Sequence, residues 1–390
     1  MDVSAPVILK HPLVIPHRIL MGPGPSNSSP RVLHAVGQTV LGHMHPEVFQ
    51  AMDEIKEGIR YVFQTNNELT LAVSGAGHAG MEAVLSNLLE RGDKVLVAIS
   101  GIWGNRAADM ARRYGAVAKE ILTETENNFS LAQLEHAIQK EKPKLLFIVQ
   151  GDSSTGVYQP LEGLGDICHR YNCLLAVDTV ASLGGVPFYA DRWKIDAVYT
   201  GSQKVLGSPP GLSPISFSPR AQKVIFERKT PVAVFYWDMT ILGQQWNCFN
   251  NVRPYHHTVC SNLIFGLREG LAIIAEEGLE HVIKRHQECA QRLYKGLGSL
   301  GLELLVEEEH KRLPTVTTIV VPKDVDWKEV VGYAMRTYSV EISGGLGPTV
   351  GKVFRIGLMG YNATPERVDL VLKVLKEALE YARSARTAKL

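Results

Sequence analysis

Residues 69–88 read LTLAVSGAGHAGMEAVLSNL: an apolar run, then Gly75, Gly77 and Gly80 in the spacing G-x-G-x-x-G, then a helical pattern. A strand that is apolar without alternation is one buried on both faces. Four further runs share that texture: KVLVAIS (94–100), KLLFIVQ (144–150), CLLAVDTV (173–180) and AVYTGSQK (197–204). Helical patterns separate them. This alternation predicts βαβ units and an α/β fold with a mostly parallel sheet between about residues 68 and 218.

The texture changes after about residue 280. A long amphipathic stretch, LEHVIKRHQECAQRLYKGLGSL, precedes two separated strand candidates, TVTTIVV (315–321) and KVFRIGLM (352–359). Thr364, Pro365 and Glu366 supply a cap, a first-turn proline and an acid suited to the positive end of a last helix. The expected division is an N-terminal arm (1–22), a large domain (23–280) and a smaller C-terminal α+β domain (281–390).

Lys and Arg number 41 against 40 Asp and Glu, a net charge of +1. So even a balance gives no long-range field for nucleic acid or an anionic membrane and favours a small-molecule ligand. No apolar run reaches the ~18 residues that span a bilayer. Five cysteines without a C-x-x-C pair suggest reduced thiols in an intracellular protein. Pro6, Pro12 and Pro16 break the apolar N-terminus, so no secretory signal is expected, and Asp2 with few arginines makes it a poor transit signal. Ala388-Lys389-Leu390 is a small–basic–Leu ending, a variant of the peroxisomal address, or else the end of a helix that happens to finish this way.

The glycine turn admits a test. A dinucleotide site needs an acid about 20 residues on, closing the next strand. That strand closes with Ser100-Gly101, while Glu90 and Asp93 precede it. The dinucleotide reading fails, but a helix N-terminus remains a good seat for one phosphate. Asp178 stands at the end of CLLAVD and Lys204 at the end of AVYTGSQK. Each alone has a plain structural reading, as a cap or a solvated lysine. Together with a phosphate seat they fit pyridoxal 5'-phosphate (PLP). That cofactor takes a Schiff-base lysine, a carboxylate on its pyridinium N–H and a helix terminus at its phosphate.

At this point the chain resembles a known family. MGPGPSN, SGAGHAGMEA, NRAADMARRYGA, GDSSTGVYQPLEG, LLAVDTVASLGGVPF, YTGSQKVLGSPPG, YHHT, LREGLAIIAEEGLE, LPTVTTIVVP and GGLGPTVGKVFRIGLMG are similar to the alanine–glyoxylate (serine–pyruvate) aminotransferases, of the class V PLP-dependent aminotransferases. The resemblance implies the aspartate aminotransferase fold (fold type I) and a homodimer with shared sites. It implies that Lys204 carries the cofactor, with Asp178 on the ring nitrogen and Trp103 stacked on the ring. Ala76, Gly77, His78, Ser153 and Gln203 would surround the cofactor. Tyr255 and Thr258 would reach the phosphate of the partner subunit, and Arg355 would clamp the substrate carboxylate beside Ser153. Gly42 and His43, with Met44, would wall the substrate side and favour L-alanine or L-serine as donor and glyoxylate as acceptor.

Other readings stay open at the level of sequence. A 3-hydroxykynurenine transaminase would share the cofactor chemistry; the hydroxykynurenine relatives resemble Ser-Asn-Phe where this chain has Gly42-His43-Met44. An NAD-dependent dehydrogenase and a non-catalytic protein of the same fold are the distant alternatives. His256-His257 and His43-x-His45 lack a companion acid or cysteine at ligand spacing, so no metal site is expected. Cysteine desulfurases share the fold but need a reactive cysteine on a mobile loop, and Cys289 lies in a helical pattern.

Overall fold

The structure is a computed structural model and describes residues 3–387; Ala388-Lys389-Leu390 lies outside the described residues. The main sheet has seven strands: β1 (Leu69–Ser74), β2 (Lys94–Ile99), β3 (Val117–Leu122), β4 (Leu145–Val149), β5 (Leu174–Asp178), β6 (Ala197–Tyr199) and β7 (Leu212–Phe217). Their order is β1-β7-β6-β5-β4-β2-β3. β7 runs antiparallel to both neighbours, and every other pair is parallel. This is the mixed, mostly parallel α/β sheet that the apolar runs predict.

Two strands are not legible as apolar runs. β3 lies at the sheet edge with most of its residues exposed or half-exposed, so VAKEIL needs no continuous apolar pattern. β7 reads LSPISF, with a proline inside it, which argues against a central strand. It is nevertheless fully buried. Its serines are satisfied inside the sheet: Ser213 Oγ donates to Thr200 O at 2.6 Å, and Ser216 Oγ meets Thr70 Oγ1 at 2.8 Å.

One boundary is corrected. AVYTGSQK does not continue as a strand to Lys204; β6 ends at Tyr199. Beyond it the chain turns, with Gly207 N donating to Lys204 O and Ser208 N to Ser202 O, both at 3.0 Å. Lys204 therefore sits on a turn past the strand end, where its backbone is not committed to a ladder.

Helices α1 (Pro46–Phe63), α2 (Gly77–Leu88) and α3 (Ile102–Arg113) flank the sheet. α2 packs closely on β6 and β7 because of Gly80. A Cβ there would stand 2.2 Å from Ser213 Oγ and 2.9 Å from the Tyr199 ring.

The C-terminal part opens with α4 (Leu279–Ser299), the long amphipathic stretch. It continues as a three-stranded antiparallel sheet of β8 (Val316–Val320), β9 (Ser343–Gly344) and β10 (Val353–Gly357), and closes with α5 (Pro365–Thr387). Thr364 caps α5, its Oγ1 accepting Arg367 N–H at 3.3 Å. The buried apolar residues fall into two clusters. Leu279 and Val282 of α4 join the first, and Cys289, Leu293 and Leu297 of the same helix join the second. Ile19–Leu20 pairs with Val340–Glu341, which carries Met21 into the second cluster.

Candidate active site

β1, β4, β5 and β6 point the same way, and ligands bind outside the carboxyl ends of such strands. A cavity of about 270 Å³ lies there. It gathers Ala76, Gly77, His78, Trp103, Ser153, Asp178, Gln203, Lys204 and Arg355. Residues separated by up to 279 positions thus share one wall, as the sequence reading requires. A larger open cleft of about 820 Å³ lies between Glu126 and Arg312 and holds none of these groups. Its Lys311 already pairs with Glu308 and with Asn127, so the smaller cavity is the candidate site.

Lys204 is 9% exposed, and its Nζ donates to Pro23 O. Burial, with the charge of Arg355, pushes its ammonium down from the usual 10.5 to about 8, against the pull of Asp178 and Glu341. Gly24, at φ +109°, makes room: a Cβ there would stand 2.1 Å from Lys204 Nζ. Asp178 closes β5 and is 4% exposed. Burial raises its carboxyl to about 6, although Tyr199 Oη–H donates to Oδ2 at 2.5 Å and Val180 N–H to Oδ1 at 2.8 Å. Tyr199 was not among the expected site residues. Nothing in its apolar setting, AVY, distinguishes it from a core aromatic.

Trp103 projects from the first turn of α3, and its indole N–H donates to Ser153 Oγ at 2.9 Å. His78 meets it edge-on at 5.5 Å between ring centroids. Burial, with Arg106, lowers the His78 pKa. Arg355, on β10, uses Nε on Gly344 O at 2.7 Å and Nη1 on Ser153 O at 2.9 Å. Those two bonds hold the guanidinium at the cavity wall.

Gly42, His43, Tyr255 and Thr258 do not line this cavity. They gather on a separate, largely exposed patch of the same chain. The His43 and Tyr255 rings lie 5.2 Å apart, Tyr255 Oη is 3.3 Å from Thr258 Oγ1, and Tyr255 is 60% exposed. His256 and His257 are turned inward, to each other at 2.9 Å and, through His257, to Ser74 Oγ at 2.8 Å.

The residues fit PLP. No side chain caps α2, so the N–H groups at its first turn are available to a phosphate where Ala76, Gly77 and His78 line the cavity. Gln203 Oε1 is buried and unpartnered at the same wall. A carboxylate, a lysine and an indole complete the set that such a ring requires.

Comparison with known proteins agrees. A family model, aminotransferase class V, matches residues 21–371. An alanine–glyoxylate aminotransferase of Drosophila melanogaster is 57% identical over 384 residues, covering 98% of both chains. The solved alanine–glyoxylate aminotransferase of Nostoc sp. superposes with a TM-score of 0.93 at 45% identity, over 97% of this chain and 100% of the other. A ureidoglycine–glyoxylate aminotransferase structure from Bacillus subtilis reaches a TM-score of 0.91 at 35% identity, over 95% of each chain. The dehydrogenase alternative falls with these matches, as the missing acid after β2 already indicated. The chain belongs to the class V aminotransferases, PLP-dependent enzymes of fold type I.

Proposed function

We propose that the protein transfers the amino group of L-alanine, or of L-serine, to glyoxylate, with alanine giving pyruvate and glyoxylate giving glycine. The observation that carries the reading is the meeting of Lys204, Asp178 and Arg355 around one small cavity at an uncapped helix start. When bound, PLP supplies the electron sink that makes an amino acid's Cα proton removable. Asp178 holds a proton on the ring nitrogen, and Trp103 offers a flat face to the ring. The N–H groups of α2 receive the phosphate, beside Gln203. Arg355 grips the carboxylate that donor and acceptor share, which suits a planar guanidinium. Lys204 Nζ takes the Cα proton and returns it; a pKa lowered toward the working pH suits a general base. The same cavity serves both half-reactions in turn, so ping-pong kinetics are expected.

Gly42, His43 and Met44 lie with Tyr255 on the exposed patch, so in this reading they would wall the cavity of a second copy, where a residue without a side chain followed by His and Met suits small substrates. A Cβ at Gly42 would come within 2.8 Å of His45 Nε2, the far end of an exposed side chain. Changing the three residues to Ser-Asn-Phe is therefore sterically feasible and should raise 3-hydroxykynurenine turnover relative to alanine. Measuring kcat/KM for both donors with glyoxylate tests the reading. A wild-type preference for 3-hydroxykynurenine would overturn it.

Three further features belong to the same reading. The chain divides into an arm (1–22), a large domain (23–280) and a small domain (281–390), a reading supported by the second apolar cluster, drawn mainly from Cys289 onward, although Leu313, Val316 and Met359 pack into the first. Tyr255 and Thr258, exposed on their own chain, serve the phosphate of a second copy in a homodimer. Ala388-Lys389-Leu390 engages the peroxisomal import receptor and directs the enzyme to the peroxisome. A reporter ending in these three residues should collect there, and the enzyme lacking Leu390 should stay cytosolic. Diffuse signal from the intact enzyme would overturn the targeting reading.

A further inference from the structure

Asp152 lines neither the cavity nor the surface, being 1% exposed, yet three parts of the active site hang from the turn it organises. Its Oδ1 accepts the main-chain N–H of Ser154 at 2.8 Å and the Ser154 hydroxyl at 2.5 Å, a side-chain-closed turn. The Ser154 oxygen accepts in turn the N–H of Ile102, the first residue of α3, at 3.2 Å. Between them, Ser153 Oγ accepts the Trp103 indole N–H, and Ser153 O accepts Arg355 Nη1, both at 2.9 Å.

The other side of the carboxylate lies against Gly101, the N-cap residue of α3. A Cβ on Gly101 would stand 2.3 Å from Oδ2 and 2.4 Å from Cγ of Asp152. Gly101 has no side chain with which to cap the helix. The carboxylate of Asp152, brought from a distant turn, occupies the position in which a capping oxygen acts on the positive end of a helix. Its Oδ2 is buried. Burial pushes the carboxyl up, while N–H groups of Ser154, Trp103 and Thr155 pull it back. Its charge also reaches across the site, raising Asp178 and favouring the charged form of Arg355.

We propose that Asp152 is a positioning residue for the transamination: it seats the Trp103 end of α3 against Ser153 and places a negative charge on the turn that binds Arg355. The inference rests on the proposed function, and its test reads the bound cofactor without substrate, so the two can fail separately. A wild-type enzyme that holds PLP but is inert toward alanine and glyoxylate would sink the functional reading and leave this one standing.

The holoenzyme variants Asp152→Asn, Asp152→Ala, Gly101→Ala and the Gly101→Ala/Asp152→Ala pair carry the test. Asn keeps an oxygen for Ser154 but removes the charge. Its visible circular dichroism should match wild type, while the pH midpoint of the cofactor's visible band falls by about half a unit or more, because a neighbouring anion no longer favours the cation. Asp152→Ala frees Ser154 and the start of α3. Visible circular dichroism should weaken, and PLP should dissociate ~10-fold faster, since a lost helix cap loosens the first turn that carries Trp103. Gly101→Ala should reproduce that loss in the wild-type background and add nothing once Asp152 is gone, since the two then share one cause. An Asp152→Asn enzyme titrating with wild type would overturn the electrostatic half of the proposal. A Gly101→Ala defect that persists undiminished without Asp152 would overturn the positioning half.

Discussion

Lys204 differs from a solvent lysine by a pKa near 8 instead of 10.5, owing to burial first and Arg355 second. The neutral amine is the nucleophile that captures PLP, so pH sets how much of it exists. At pH 8 about half of this amine is neutral, against roughly 0.3% of an ordinary one. The rate at which apoenzyme takes up PLP, followed by visible absorbance, should rise from pH 6 and flatten above about 8. Arg355→Met removes the second cause and should move the profile to higher pH, with Asp178 and Glu341 then unopposed. A rate still climbing at pH 10 in the wild type would show an unperturbed lysine. At the same scale, sequence separates Asp178 and Lys204 from their neighbours because charge after an apolar run is unusual. It cannot find Tyr199, whose hydroxyl matters only because folding aims it at Asp178.

The turn from β1 into α2 is where the glycines act. Gly75, at φ +154°, has the Ala79 side chain 2.5 Å from where a Cβ would be, so the chain can reverse tightly into the helix. Gly80 lets α2 lie against β6 and β7, as its would-be contact of 2.2 Å with Ser213 Oγ requires. Gly80→Ala should lower stability by ~1–3 kcal/mol in denaturant unfolding, the usual cost of an overpacked core. It should also weaken PLP retention, because Tyr199 and the start of α2 shift together. Wild-type stability and retention in the Gly80→Ala enzyme would mean the helix slides without cost. The glycine spacing is legible in sequence, but its meaning is not. The same three residues serve a dinucleotide turn elsewhere, and only the Ser100-Gly101 that follows β2, where an acid would be needed, separates the two cases.

For the molecule as a whole, the cavity of one chain holds the groups for lysine, ring and carboxylate, but not Tyr255 or Thr258. A homodimer that shares sites makes a specific demand. Mixing Lys204→Ala subunits with Tyr255→Phe/Thr258→Ala subunits should restore part of the activity, since one site of each heterodimer then carries no defect. Assays after demonstrated subunit exchange check this, and no recovery would place Tyr255 and Thr258 outside the neighbour's site.

The sequence by itself determined the strands buried on both faces, because such strands are apolar without interruption, and it determined the chemistry at their ends, because charged residues there stand out. β3 and β7 escaped it for opposite reasons. An edge strand needs no apolar run, and a serine-rich strand with Pro214 is stable only when neighbours accept its hydroxyls. Tertiary structure alone decided that β6 stops at Tyr199 and leaves Lys204 on a turn. Beside the local turn bond from Gly207 to Lys204, distant segments hold it: Ser26 N–H donates to Gln203 O at 2.9 Å and Ser202 N–H to Leu212 O at 3.0 Å. It alone brought Arg355 to Ser153 across 202 positions and set the Asp152 carboxylate against Gly101. Such contacts depend on where distant segments meet, and no periodicity in the chain records that.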